Sequence, residues 1–153
     1  MILLDTSVLI DNPLNWINAE QEYAASILSR AELEFGVAIA QSDRTDLRRH
    51  RLADYDRLFA WLPFTEATTR AYGILARAIH PKAPAQARRI DTYIAAHALE
   101  LGIPLMTANA KDLRHIAHLI SVIACDEVRY NYNMVEETGQ NVPSTLSQSL
   151  SDF

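Results

Sequence analysis

The sequence predicts an α/β fold: a parallel, twisted sheet of four to five strands flanked by helices. Short apolar runs alternate with stretches of helical period along most of the chain, the pattern of strand–helix–strand units whose helices cover a parallel sheet. At 153 residues and 49% hydrophobic content, the chain can bury one core but is too short for two ordinary domains. It holds only four glycines and no Gly-x-Gly-x-x-Gly turn, which sets aside the dinucleotide-binding variety of this architecture.

Each element has its own signal. Ile2-Leu3-Leu4 is an apolar run halted by Asp5-Thr6-Ser7, all helix-capping types, and Val8-Leu9-Ile10 begins a short helix limited by Pro13. Tyr23 to Leu28 reads as a second strand, after which Ser29 opens a helix carrying Leu33, Val37 and Ala40 on one side. A charged helix from about Thr45 to Leu62 turns Leu47, Leu52, Tyr55, Leu58, Phe59 and Leu62 toward a core or a partner and ends at Pro63. A third strand near Phe64 leads to a helix from about Glu66 to Ile79, followed by a loop from Pro81 to Pro84. The next helix closes near Gly102. Ile103 to Met106 is a fourth strand, Lys111 to His115 a short helix, and Leu119 to Ala124 a fifth strand. Phe59, Trp61, Tyr72 and Leu75 suit either a dimer face or ordinary core packing.

Residues 1–125 therefore read as one domain and 126–153 as a C-terminal extension. After Tyr132, Asn, Gln, Ser, Gly and Pro replace the apolar periodicity, so this segment is expected to be flexible, or ordered by a partner, or without a role. The formal net charge of −5 argues at first against a nucleic-acid partner. The extension, however, carries Asp126, Glu127, Glu136, Glu137 and Asp152 against Arg129 alone, a balance of −4 that leaves −1 for residues 1–125. Cations on the carboxylates of that body would leave Arg44, Arg48, Arg49, Arg51, Arg88 and Arg89 free to meet phosphates. Cys125 is the only cysteine, so an intramolecular disulfide and a multi-cysteine metal site are both ruled out. No apolar stretch approaches the roughly 18 residues of a membrane span, and the start lacks the regions of a signal peptide, so a cytoplasmic protein is expected.

Several carboxylates fall where such a sheet presents ligands, at the carboxyl ends of its strands. Asp5 follows the first strand, although an N-cap explains it equally well. Glu32 lies three residues after Ser29, which is also the spacing of a capping box. Asp91 borders the stripe of Ile94, Ala95 and Ala98 and needs a counter-charge, either Arg88 or Arg89 or a metal. Thr107, Asn109 and Asp112 follow the fourth strand, where turn chemistry would also place them. Strand ends of one parallel sheet converge on one edge, and oxygen ligands gathered there suit Mg²⁺ or Mn²⁺. His97, on a packed helix, reads as a hydrogen-bonded structural residue.

Leu-Leu-Asp5-Thr-Ser-Val-Leu-Ile-Asp, Ser29-Arg-Ala-Glu32-Leu-Glu-Phe-Gly36, Ile-Asp91-Thr-Tyr-Ile-Ala-Ala-His-Ala-Leu and Thr107-Ala-Asn109-Ala-Lys-Asp112-Leu occur in that order. Together they resemble the ordered motifs of PIN-domain nucleases, and more narrowly the VapC toxins of bacterial toxin–antitoxin pairs, over Ile2 to about Ala124. The resemblance implies a PIN-like fold and a Mg²⁺- or Mn²⁺-dependent endoribonuclease, typically a homodimer, silenced by a VapB-type antitoxin. By position, Asp5, Glu32 and Asp91 carry the first three acidic residues. The fourth is either Asp112 or a position held here by Asn109, which adds no charge.

In the mechanism this implies, Asp5 and Asp91 bind the metal most directly, Glu32 and Asp112 hold its waters or a second ion, and Thr6, Ser7, Thr107 and Asn109 position the phosphate of an RNA substrate. An alternative keeps the fold and drops the chemistry, as a catalytically weak binding or regulatory module. Phosphotransfer of the receiver or haloacid-dehalogenase type also starts from an aspartate after the first strand, but the latter needs a second aspartate where Ser7 stands.

Overall fold

The computed structural model describes residues 1–11, 17 and 20–125. Pro13 and the extension 126–153, on which two of the expectations above fall, lie outside the described residues. The elements follow in the order β1 (Ile2–Leu4), α1 (Thr6–Ile10), β2 (Tyr23–Ser26), α2 (Ile27–Ala38), α3 (Ser42–Leu58), β3 (Ala60–Leu62), α4 (Glu66–Ile79), α5 (Ile90–Leu101), β4 (Leu105–Thr107) and β5 (Val122–Ala124). Two 3₁₀ turns, Gln86–Arg88 and Ala110–Leu113, precede α5 and follow β4.

The sheet has the order β3-β2-β1-β4-β5, and every pairing is parallel. β1 sits at its centre, with Leu3 and Leu4 buried opposite Leu105 and Met106 of β4. Strand order reverses its walk across the sheet at β1, so the carboxyl ends of β1 and β4 flank the switch point where α/β sheets open a crevice. Helices cover both faces. On one, Leu75, Ile79, Ile94, Ala95, Ala98 and Ile116 pack against Leu3 and Leu105; on the other, Val8, Leu9, Tyr55 and Phe59 pack against Leu4, Ala25 and Met106.

α4 shows why its boundaries are legible. The Thr65 hydroxyl oxygen accepts a hydrogen bond from the Thr68 backbone N–H and the Thr68 hydroxyl oxygen accepts one from the Thr65 N–H, a closed capping box, while Ala71, Leu75 and Ile79 bury one face. Two expectations are corrected. The second strand stops at Ser26, whose hydroxyl caps α2 by accepting from Leu28 N at 3.1 Å, so Ser29 is not the cap. α3 ends at Leu58 and the third strand is Ala60–Leu62, not near Phe64, because Phe59 turns extended and hands the chain to the edge of β2. Of the apolar set expected on this helix, Leu52, Tyr55 and Phe59 are buried, Leu62 packs partly buried against the core from β3, and Leu47 and Leu58 are exposed. Of the four residues that suited either a dimer face or core packing, Phe59 and Leu75 take the second alternative and are buried in the core.

Candidate active site

Asp5 is the hub. It occupies the residue between β1 and α1, almost wholly buried at 6% exposure. One carboxylate oxygen accepts from the Thr6 backbone N–H at 2.8 Å, and this is the N-cap bond of α1. The other accepts from the Ser7 hydroxyl and the Thr107 hydroxyl, both at 2.7 Å. Thr107 is the last residue of β4, so the carboxylate ties two neighbouring strand ends together. The loop after β4 is fastened to the same place, since Ala108 N donates to Ser7 Oγ at 3.1 Å and Asn109 N to Thr107 Oγ1 at 3.0 Å.

Glu32 reaches this hub from α2. Because Ser26 supplies the cap, Glu32 falls beyond the first turn and its carboxylate is free of capping duty. It accepts instead from the Thr6 hydroxyl at 2.5 Å. Its pKa lies above the usual carboxylate range, first because burial penalises its charge and further because Asp91 and Asp5 are negative neighbours; the Thr6 bond works in the opposite direction. Asp91 stands in the first turn of α5 and is raised for the same leading reason, burial, followed by the charge of Asp5. Arg89 pulls it down and Asp112 pushes it up. The expected counter-charge of Asp91 is therefore Arg89, whose Nε lies 3.7 Å from Asp91 Oδ2.

Asp112 comes from the 3₁₀ turn after β4 and lines a cleft with Asp5, Asp91, Thr107 and Asn109. That cleft measures only ≈ 10 Å³, the space of a water or a bare ion, and excludes any substrate that would need to be engulfed. Asn109 is exposed and its side chain makes no capping bond. All eight residues singled out in the sequence thus meet at one edge of the sheet, with the hydroxyls of Thr6, Ser7 and Thr107 turned onto carboxylates rather than outward.

Among the described residues, no three His, Cys, Asp or Glu side chains already close into a cage that could hold a metal directly. The donor set is nevertheless made wholly of oxygen, and it gathers negative charges that repel one another in a partly dry site, the electrostatic condition a divalent cation relieves. His97 takes no part: it is buried, its Nε2 meets the Pro63 carbonyl at 3.1 Å, and its ring packs edge-on against Phe64.

A second concavity lies beside the first. A groove of ≈ 230 Å³ between α1, α2 and α3 is floored by Leu9, Leu33, Leu52 and Tyr55, is bordered by Arg48 and Arg51, and includes Glu32 in its wall. No sequence signal isolates it, because its lining mixes positions from three helices that no single periodicity connects.

The profile of the PIN domain family matches residues 2–119. The chain belongs to the PIN domain family. Solved structures similar to this PIN domain include VapBC2 from Rickettsia felis bound to a DNA fragment from their promoter, at TM-score 0.68 and 24% identity, covering 81% of this chain and 98% of that one. VapBC-5 from Mycobacterium tuberculosis, a member of the VapBC family of toxin–antitoxin systems, matches at TM-score 0.63 and 26% identity over 80% of this PIN domain chain and 94% of its own. FitAcB from Neisseria gonorrhoeae matches at 0.65 and 27% identity, over 80% and 96%. No curated protein matches this PIN domain chain. Among its described residues, no helix is long and apolar enough to cross a membrane.

Proposed function

We propose that this PIN domain is a divalent-metal-dependent endoribonuclease and the toxin of a type II toxin–antitoxin pair. The observation that carries the reading is the meeting of Asp5, Glu32, Asp91 and Asp112, drawn from four separate elements, at the carboxyl edge of β1 and β4. Kinship with VapBC complexes supports the assignment to this class.

Asp5 and Asp91 are the direct ligands in this reading, with Glu32 and Asp112 holding coordinated water or a second ion. Bound Mg²⁺ or Mn²⁺ supplies acidification of a water and offsets charge on the phosphate as it is attacked. Ser7 and Thr107 orient the Asp5 carboxylate, and Thr6 orients Glu32. Exposed Asn109 is the group of this set best placed to meet a phosphate oxygen, and the narrow cleft fits a phosphodiester presented from outside. RNA is the substrate, gripped at flanking phosphates by arginines of α3 and by Arg88. A VapB-type antitoxin and a second copy of the chain are the expected partners; exposed Phe35 and Ile39 at the end of α2 and Leu47 on α3 offer apolar surface for them.

The test is Asp5→Asn and Asp91→Asn in protein purified free of antitoxin. Asn keeps the acceptor that caps α1, so the fold survives while ligand charge is lost. Mg²⁺-dependent RNA cleavage should vanish in both variants and in chelator-treated wild type; full activity in both variants would refute the assignment.

A further inference from the structure

Arg89 stands between two of the site carboxylates, its Nε 3.7 Å from Asp91 Oδ2 and its Nη1 3.9 Å from Asp112 Oδ2. Its backbone is firmly held. Arg89 N donates to the Gln86 carbonyl at 3.1 Å, the Arg89 carbonyl accepts from Thr92 N at 3.0 Å, and the Thr92 hydroxyl locks the same turn by donating to Gln86 O at 2.8 Å. The side chain, in contrast, is 53% exposed, and both carboxylate contacts of its guanidinium are too long to be hydrogen bonds. The peptide fixes where the side chain starts, and charge alone decides where it ends.

A positive group between Asp91 and Asp112 fills the electrostatic place of a cation, and it repels any second cation brought there. Arginine cannot yield by losing its proton, so it can yield only by moving. We propose that Arg89 is an exchangeable counter-ion: it neutralises Asp91 and Asp112 in the metal-free protein, is displaced when a divalent cation binds, and then takes a non-bridging oxygen of an RNA phosphate at the mouth of the cleft. The role rests on the metal-dependent ribonuclease reading given above. The fork of donors that loosely spans two carboxylates in one state matches phosphate in the other, and its anchored backbone keeps both within reach of one side-chain rotation.

The test uses full-length protein, Mn²⁺ titrated calorimetrically without RNA, and steady-state cleavage of single-stranded RNA at saturating Mn²⁺. Removing two solvent-exposed ion pairs that compete with the metal predicts that Arg89→Gln binds Mn²⁺ about three- to tenfold more tightly than wild type. Its KM for RNA should rise while kcat stays within about twofold, the signature of weakened uniform binding. A side chain that merely braces the fold would not shift metal and RNA affinity in opposite directions. Unchanged or weaker Mn²⁺ binding, or an unchanged KM, overturns the role. Arg89→Lys, which keeps the charge and loses the fork, should show both shifts in smaller measure and decides the matter if the glutamine variant fails to fold. Absence of Mn²⁺ binding by wild type would instead bring down the nuclease reading, and this role with it.

Discussion

Asp5 caps a helix and lines a cleft at once, so the cap that the sequence weighed evenly against a site role is present and leaves that role open. Cap and site compete only if a carboxylate has one oxygen to give; here one oxygen serves Thr6 N and the other serves Ser7 and Thr107. The Thr107 bond spans 102 residues and no local spacing could announce it. Glu32 was legible as a residue beside the sheet edge, but its release from the cap depended on the chain turning helical at Ile27. For pH, the raised pKa values of Glu32 and Asp91 set the sign. Both must ionise to hold a metal, so Mn²⁺ affinity, titrated from the metal-free protein, should begin to weaken on acidification at a pH above the usual carboxylate range. In metal-free protein the same shift costs stability at neutral pH, because the folded state favours the protonated form more than the unfolded chain does; the cost disappears as pH falls through the raised pKa. Asp91→Asn should therefore melt at or above wild type in chelator at pH 7.5, with the gap closing toward acid, as read by thermal denaturation.

At the scale of elements, the five strands, their order of appearance and the span of α4 were readable, because alternation of apolar runs with capped helical periods is a local signal. The errors fell where one apolar run crosses from one element into another. Ile27-Leu28 continues the β2 run although both belong to α2, and Leu58, Phe59 and Leu62 keep a helical spacing across a break that only pairing with β2 enforces. The packing of α4 on α5 offers a stability test. Thr68 is fully buried, and its hydroxyl serves both the Thr65 N–H and Glu100 Oε2, the latter at 2.5 Å. Thr68→Val should cost about 1–3 kcal/mol in urea denaturation, since it strands a backbone donor and removes a bond to a charged group. His97 provides a second. Burial holds its pKa below the ordinary value, the Pro63 bond opposing, so the unfolded chain takes up a proton that the folded chain refuses. Stability from this residue is complete above about pH 6.5 and falls as pH drops below it, and His97→Gln should flatten that slope.

For the whole molecule, the decisive quantity is where charge lies. A net charge of −5 hides a nearly neutral body whose arginines on α3 adjoin the groove beside Glu32. RNA affinity should fall steeply as salt rises, and replacing Arg48 and Arg51 with Gln should shallow the log–log slope by roughly 0.7 for each phosphate no longer gripped. Filter-binding across a salt series, with Asp91→Asn to prevent cleavage, reads this directly.

The knot at Asp5 has a consequence for the cell that makes the protein. Its second oxygen has only the Ser7 hydroxyl for a partner until Thr107 joins the sheet, and Asp91 and Asp112 are also supplied late. A ribosome translating this message has built the opening motif long before the strand that completes it. Fragments released early, or nascent chains stalled before residue 107, carry Asp5 without the constellation around it, so the ribonuclease activity proposed above should be absent from any chain that stops short of Asp112.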